Sequence, residues 1–164
     1  MLIESGIGEF SDAQALTAGT TPSENVINLV AARHQMGVNG ELWLWLRTNV
    51  VANFSSTETY LFAFIVDSEA TFSTTPKAVI VIADSDGTGI VTGDEESTVL
   101  KTAGKTIYCA TLPFGADMQY GKWAYILADG GGTASITVDA GLSTVRPPSD
   151  RTKDQIYQTN VTTP

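Results

Sequence analysis

The chain predicts an all-β protein, an antiparallel two-sheet sandwich of either jelly-roll or immunoglobulin-like type, and three observations carry that prediction. Seven or eight short runs rich in alternating or β-branched residues recur along it. Clusters of Gly, Asn, Asp, Ser and Pro separate them, and no long helical period interrupts the series.

The strongest run is ELWLWLRTNVV, residues 41–51. Strand alternation puts Leu42, Leu44 and Leu46 on one face and Trp43, Trp45 and Arg47 on the other, so both faces are largely apolar. A sheet with one wet face needs no second apolar row, and the Trp row therefore calls for a cover, either an arm of this chain or another protein.

In chain order, residues 1–23 hold few strand formers, end in AGTTPSE, and read as an extended N-terminal arm with a short turn at FSDAQA. Residues 24–145 form the sandwich domain. Its first strand is NVINLV (25–30), followed by a loop, AARHQMGVNG, that closes at Asn39-Gly40. After the central strand, ANFSST turns the chain into TYLFAFIV (59–66), which is expected to pair with it as a hairpin. KAVIVIA (77–83), KTIYCATL (105–112), QYGKWAYIL (119–127) and TASITVDAGL (133–142) are the later strands. In the last, Ser135, Thr137 and Asp139 alternate with Ala134, Ile136 and Val138, the mark of one wet side. Between KAVIVIA and KTIYCATL lies the longest irregular stretch, residues 84–104, and residues 146–164 form a polar C-terminal tail.

At 164 residues one domain is the expectation, and the chain is long enough to fold without covalent staples. Charged residues are only 16%, so Ser, Thr, Asn and Gly must finish the surface, as suits a turn-rich β protein. A net charge of −9 argues against a phosphate backbone as partner, because nucleic-acid binding calls for clustered Lys and Arg. The N-terminus lacks the basic and apolar regions of a signal peptide, and no apolar run reaches bilayer length, so synthesis in the cytoplasm and no membrane partner are expected.

Chemistry-bearing groups are sparse. His34 is the single histidine and reads as a loop residue, with no G-x-S-x-G elbow to accompany it. Cys109, the single cysteine, sits in a strand and reads as a small buried hydrophobe. Asp84, Asp86, Thr88 and Glu95 are spaced like the oxygen ligands of a calcium loop, yet the flanks do not look helical, and a solvated acidic loop is the preferred reading. No catalytic set, cofactor or metal is therefore assigned, and the chain is expected not to be an enzyme. Trp43, Trp45 and Trp123 could stack on sugar rings, which leaves a carbohydrate-binding module as the rival function beside core or interface packing.

Several strings together resemble the capsid cement, or decoration, proteins of short-tailed bacteriophages: FSDAQALT from Phe10, NVINL from Asn25, GELWL from Gly40, and the order of the later strands up to Leu142. The resemblance implies a jelly-roll subunit on the outer surface of an icosahedral head. It would clamp neighbouring major capsid proteins and meet its own copies, a dimer being favoured over a trimer. The two tryptophans of the central strand and the longer tail depart from that pattern. Candidate contact residues are Phe10, Asp12 and Gln14 in the arm, Trp43, Trp45, Arg47, Tyr60 and Phe62 in the strands, and Arg146, Arg151 and Lys153 in the tail.

Overall fold

The structure, a computed structural model, describes residues 8–35, 42–55, 57–74, 76–84, 87–94, 96–112 and 118–144. Among the described residues are nine strands, β1 (Glu9–Thr17), β2 (Gly19–Pro22), β3 (Ile27–Asn28), β4 (Trp43–Val50), β5 (Thr59–Asp67), β6 (Lys77–Ile82), β7 (Thr106–Thr111), β8 (Tyr120–Ala128) and β9 (Ser135–Ser143), and two short helices, α1 (Leu29–Gln35) and α2 (Ser97–Leu100).

One sheet has the order β1-β9-β4-β7 and the other β2-β8-β5-β6, with β3 extending β2's side of β8. Every ladder is antiparallel. The pairs β1–β9, β2–β8, β4–β7 and β5–β6 nest inside one another, so the chain is a long double ribbon rolled upon itself until β9 meets β4 and β8 meets β5. That is the jelly roll, and the immunoglobulin-like alternative falls away.

Alternation explains the core. Leu42, Leu44 and Leu46 face inward from one sheet with Ile136, Val138, Ala140 and Leu142, and Tyr60, Phe62, Phe64, Trp123 and Tyr125 meet them from the other. The rings interlock edge to face, as in Phe10–Phe64 at 5.4 Å and Tyr108–Trp123 at 5.9 Å between centroids.

Three expectations are corrected. The hairpin of β4 with β5 does not form: the two lie in different sheets, because Ala52 N–H donates to Leu100 O and Asn53 N–H to Ser135 O, carrying the connection over the end of the sandwich. Within the stretch read as an extended arm, Glu9–Thr17 and Gly19–Pro22 are edge strands, one in each sheet. Phe10 and Leu16 hold β1 by burying their side chains, while the polar residues between them suit a sheet edge. A bulge with Ala13 at φ 46° absorbs the mismatch between Ser11 and Gln14. Finally, the strand NVINLV is strand only at Ile27–Asn28, and Leu29–Gln35, read as strand end and loop, is helix. Asn28 Oδ1 accepts from Ala31 N–H at 2.8 Å as an N-cap, and Leu29 and Ala32 bury one side of the helix.

Candidate contact face

The outward face of the four-stranded sheet is built on β4. Trp43, Trp45 and Arg47 point out from it; across β7 stand Thr111 and Cys109, and across β9 Ser143, Gly141 and Asp139. The small neighbours leave room for the indoles to lie along the sheet. Trp45 crosses Gly141 so closely that a Cβ there would stand 2.8 Å from its Cζ2, and 2.8 Å from Gly8 O on the far side. Among the described residues β4 packs with its sheet neighbours β9 and β7, and both indoles stay half-buried rather than enclosed. The Nε1 of Trp45 is buried without a hydrogen-bond partner, so the ring's polar edge gains nothing from its present setting.

Beside the tryptophans the charges are neutralised within the face. Arg47 pairs with Asp139 at 2.9 Å, and its guanidinium carbon lies 5.8 Å from the Trp45 ring centroid. Asp139, 7% exposed, also accepts from Asn49 Nδ2 at 3.1 Å and from Ala13 N–H at 2.8 Å. Burial by itself pushes this carboxyl up, but the hydrogen bonds from Asn49, Arg47 and Ala13, with the positive charge of Arg47, hold it below the usual aspartate value. The result ties the β1 bulge to β4 and β9 and leaves no bare charge under the indoles.

The arm residues lie at the edge of the sandwich, where Gln14 stands opposite Val138 of the inward row of β9. Asp12 is exposed, and its N–H donates to Glu24 Oε2 at 3.1 Å. Gln14 spans the edge strands, accepting from Ser11 Oγ at 2.6 Å and donating through Nε2 to Pro22 O at 2.9 Å.

Three other predicted contact residues lie inside. Phe10, Tyr60 and Phe62 are fully buried in the core, so none can meet a partner without unfolding the sandwich. Tyr60 is fixed twice, its hydroxyl donating to Asn53 O at 2.5 Å and accepting from Ser135 N–H at 3.1 Å. The reason is parity: the row of β5 that carries Tyr60 and Phe62 faces the other sheet. Trp123 is likewise sealed in the core and offers no platform to a sugar. Arg146, Arg151 and Lys153 lie outside the described residues.

Of the remaining groups, His34 is in α1, Cys109 is buried beside Trp45, and the Asp84 carboxylate accepts from its own loop, from Thr88 N–H at 2.9 Å and Gly89 N–H at 3.2 Å. Ser85, Asp86 and Glu95 of that loop lie outside the described residues. Asp139 is the residue the sequence hid. Alternation placed it in the outward row beside Ser135 and Thr137, and only the register that sets it opposite Arg47 reveals the anchor.

A family model, Bbp16, matches residues 10–142, which span the sandwich from the first core residue of β1 to the last strand. No curated protein matches the chain.

Proposed function

The chain belongs to the Bbp16 family, a phage-related one, and from that premise we propose that it is a structural virion protein, a capsid cement bound to the outer surface of an icosahedral head. It clamps neighbouring major capsid proteins there and meets its own copies. The observation that carries this reading is the outward row of β4: two half-buried indoles and an internally neutralised Arg47 on a sheet face. Aromatic side chains on a rigid sheet bury large areas at little entropy cost, which is what an adhesive contact needs. Asp12 and Gln14 at the edge of the sandwich extend the contact, and the role assigned to Phe10, Tyr60 and Phe62 passes to the core.

Cement acts by linkage. A protein that binds the assembled shell and not its separated parts stabilises the shell by RT ln(1 + [L]/Kd) at each site, and many sites act together. The test is to strip shells of this protein, add it back purified, and record sedimentation with the shells and their disruption temperature. Rebinding with a raised disruption temperature supports the reading; absence of both removes it.

The close approach of the half-buried Trp45 ring to Gly141 favours one rival, a carbohydrate-binding module, since a partly exposed indole on a sheet can stack on a sugar ring. Saturable quenching of tryptophan fluorescence by a glycan, with no affinity for shells, would select it.

A further inference from the structure

The ion pair beside the indoles is unequal. Asp139 is 7% exposed, and besides Arg47 its oxygens already take Ala13 N–H and Asn49 Nδ2. Arg47 is the reverse case. Its side chain is 43% exposed, and of the five N–H donors that a guanidinium carries it spends one, on Asp139 Oδ2. Among the described residues its other donors have no partner. Charge is balanced at this spot while hydrogen bonding is not, and the surplus of donors faces outward with the Trp43–Trp45 row.

Three observations identify the acceptor that fits. The first is shape, since a planar guanidinium fork matches a carboxylate with two parallel hydrogen bonds. The second is preparation. Asp139 holds one corner of the fork, and the Trp45 ring centroid lies 5.8 Å from the guanidinium carbon. Little side-chain freedom is left to lose on binding, and the half-buried indole keeps water from one side of the bond. The third is charge. The chain carries −9, yet in the outward rows of β4, β7 and β9 the described residues hold no charge but Arg47 and Asp139. Glu9 stands one strand farther out, opposite Gly141. An arriving carboxylate therefore meets an exposed cation whose counter-charge is buried. A phosphate backbone would call for several cations together, and these rows offer one.

We propose that Arg47 reads the partner of this face by taking an Asp or Glu side chain of the opposing surface in its open fork, while the indoles bury the apolar surroundings of that carboxylate. Arg47 is then the specificity-determining residue, and Asp139 positions it. The inference rests on reading this face as the adhesive one, and one arm of its test needs no shell, so its failure and that of shell binding are told apart.

In the first arm the Nε–H resonance of Arg47, identified by its loss in Arg47→Lys, is followed by NMR at neutral pH. The full chain is titrated with glutarate, a dicarboxylate, against sodium chloride of matched ionic strength. A saturating shift with glutarate and not with chloride is expected, and its absence overturns the proposal. In the second arm the wild type, Arg47→Lys and Arg47→Gln are rebound to stripped shells over a series of salt concentrations. Arg47→Lys keeps a cation for Asp139 but not the fork, and is expected to weaken rebinding by about tenfold. Arg47→Gln is expected to weaken it by about thirtyfold or more and to flatten its salt dependence, both variants keeping the wild-type circular dichroism spectrum. If Arg47→Gln does not fold, Arg47→Lys carries this arm. A folded variant of either kind that rebinds as the wild type does overturns the proposal, as does an Arg47→Gln that keeps the wild type's salt dependence. A wild type that takes glutarate at Arg47 and ignores shells upholds carboxylate recognition and removes the capsid reading instead.

Discussion

The indole of Trp45 rests on the backbone of Gly141, in the one cross-strand position on β9 where no side chain stands between ring and sheet. The glycine is required by close approach rather than by backbone conformation. Gly141→Ala puts a methyl group 2.8 Å from both Cζ2 of Trp45 and the carbonyl of Gly8, and since one obstacle is backbone the indole has to lift. The expected cost is about 1–3 kcal/mol, the usual range for overpacking, read as a lower urea midpoint at unchanged m-value. A neutral result would mean that the ring does not lie where it is described.

Asp139 supplies a pH-dependent contribution of known sign. Its folded pKa is lowered, so its ion pair and hydrogen bonds stabilise the fold above the unfolded aspartate value, near 4. That contribution is lost as pH falls through the folded value. Asp139→Asn is expected to cost about 1–3 kcal/mol at neutral pH, because Arg47 and the Ala13 amide lose a charged acceptor. The difference from wild type should stay flat between about pH 6 and 8 and shrink below about pH 4. Denaturant titrations of both proteins across that range check it.

A second close approach lies at the end of the sandwich. Glu58 is fully buried and accepts from Ser55 N–H at 2.9 Å and from Ser55 Oγ, and Gly132 of the β8–β9 turn packs on this pair. Gly132→Ala would bring a Cβ within 2.7 Å of Glu58 Oε1 and closer still to the serine hydroxyl. The expectation is a loss of about 1–3 kcal/mol from displaced hydrogen bonds and strain, measured by thermal and urea unfolding. Gly87 has open space at its Cβ but a φ of 79°, so Gly87→Ala there tests backbone strain instead.

Trp123 presents the reverse case. It is sealed in the core, packs edge to face with Phe64 and Tyr108, and its Nε1 has no hydrogen-bond partner. Trp123→Phe removes the unsatisfied donor along with some packing volume, and the two effects oppose. The net loss is expected near 1 kcal/mol, against about 3–5 kcal/mol for Trp123→Ala. Equilibrium unfolding of both variants decides it.

What the sequence made legible follows from periodicity. The doubly apolar rows of β4 and β5 announced a two-sided environment, and the strand segments from β4 onward lie within a few residues of their expected places. Pairing was not legible, because alternation says which residues share a face and not which strand lies alongside. That is why Tyr60 and Phe62 could be read as a contact surface, and why Asp139 looked merely wet. The edge strands β1 and β2 were hidden because polar residues such as Ser11, Asp12 and Gln14 are tolerated where a strand has one neighbour. For α1 a signal existed in Asn28, a capping residue ahead of Leu29 and Ala32, but a seven-residue helix leaves too short a period to weigh against β-branched neighbours.

Trp123→Phe also turns the outward indoles into the sole tryptophan reporters, and that gives the most direct measurement of the central claim. Acrylamide quenching of this variant is recorded free and bound to stripped shells. If the Trp43–Trp45 face is the adhesive surface, quenching falls sharply on binding, and Trp43→Ser in the same background rebinds more weakly. A variant that rebinds at full strength with its indoles quenched as freely as in solution contradicts the account.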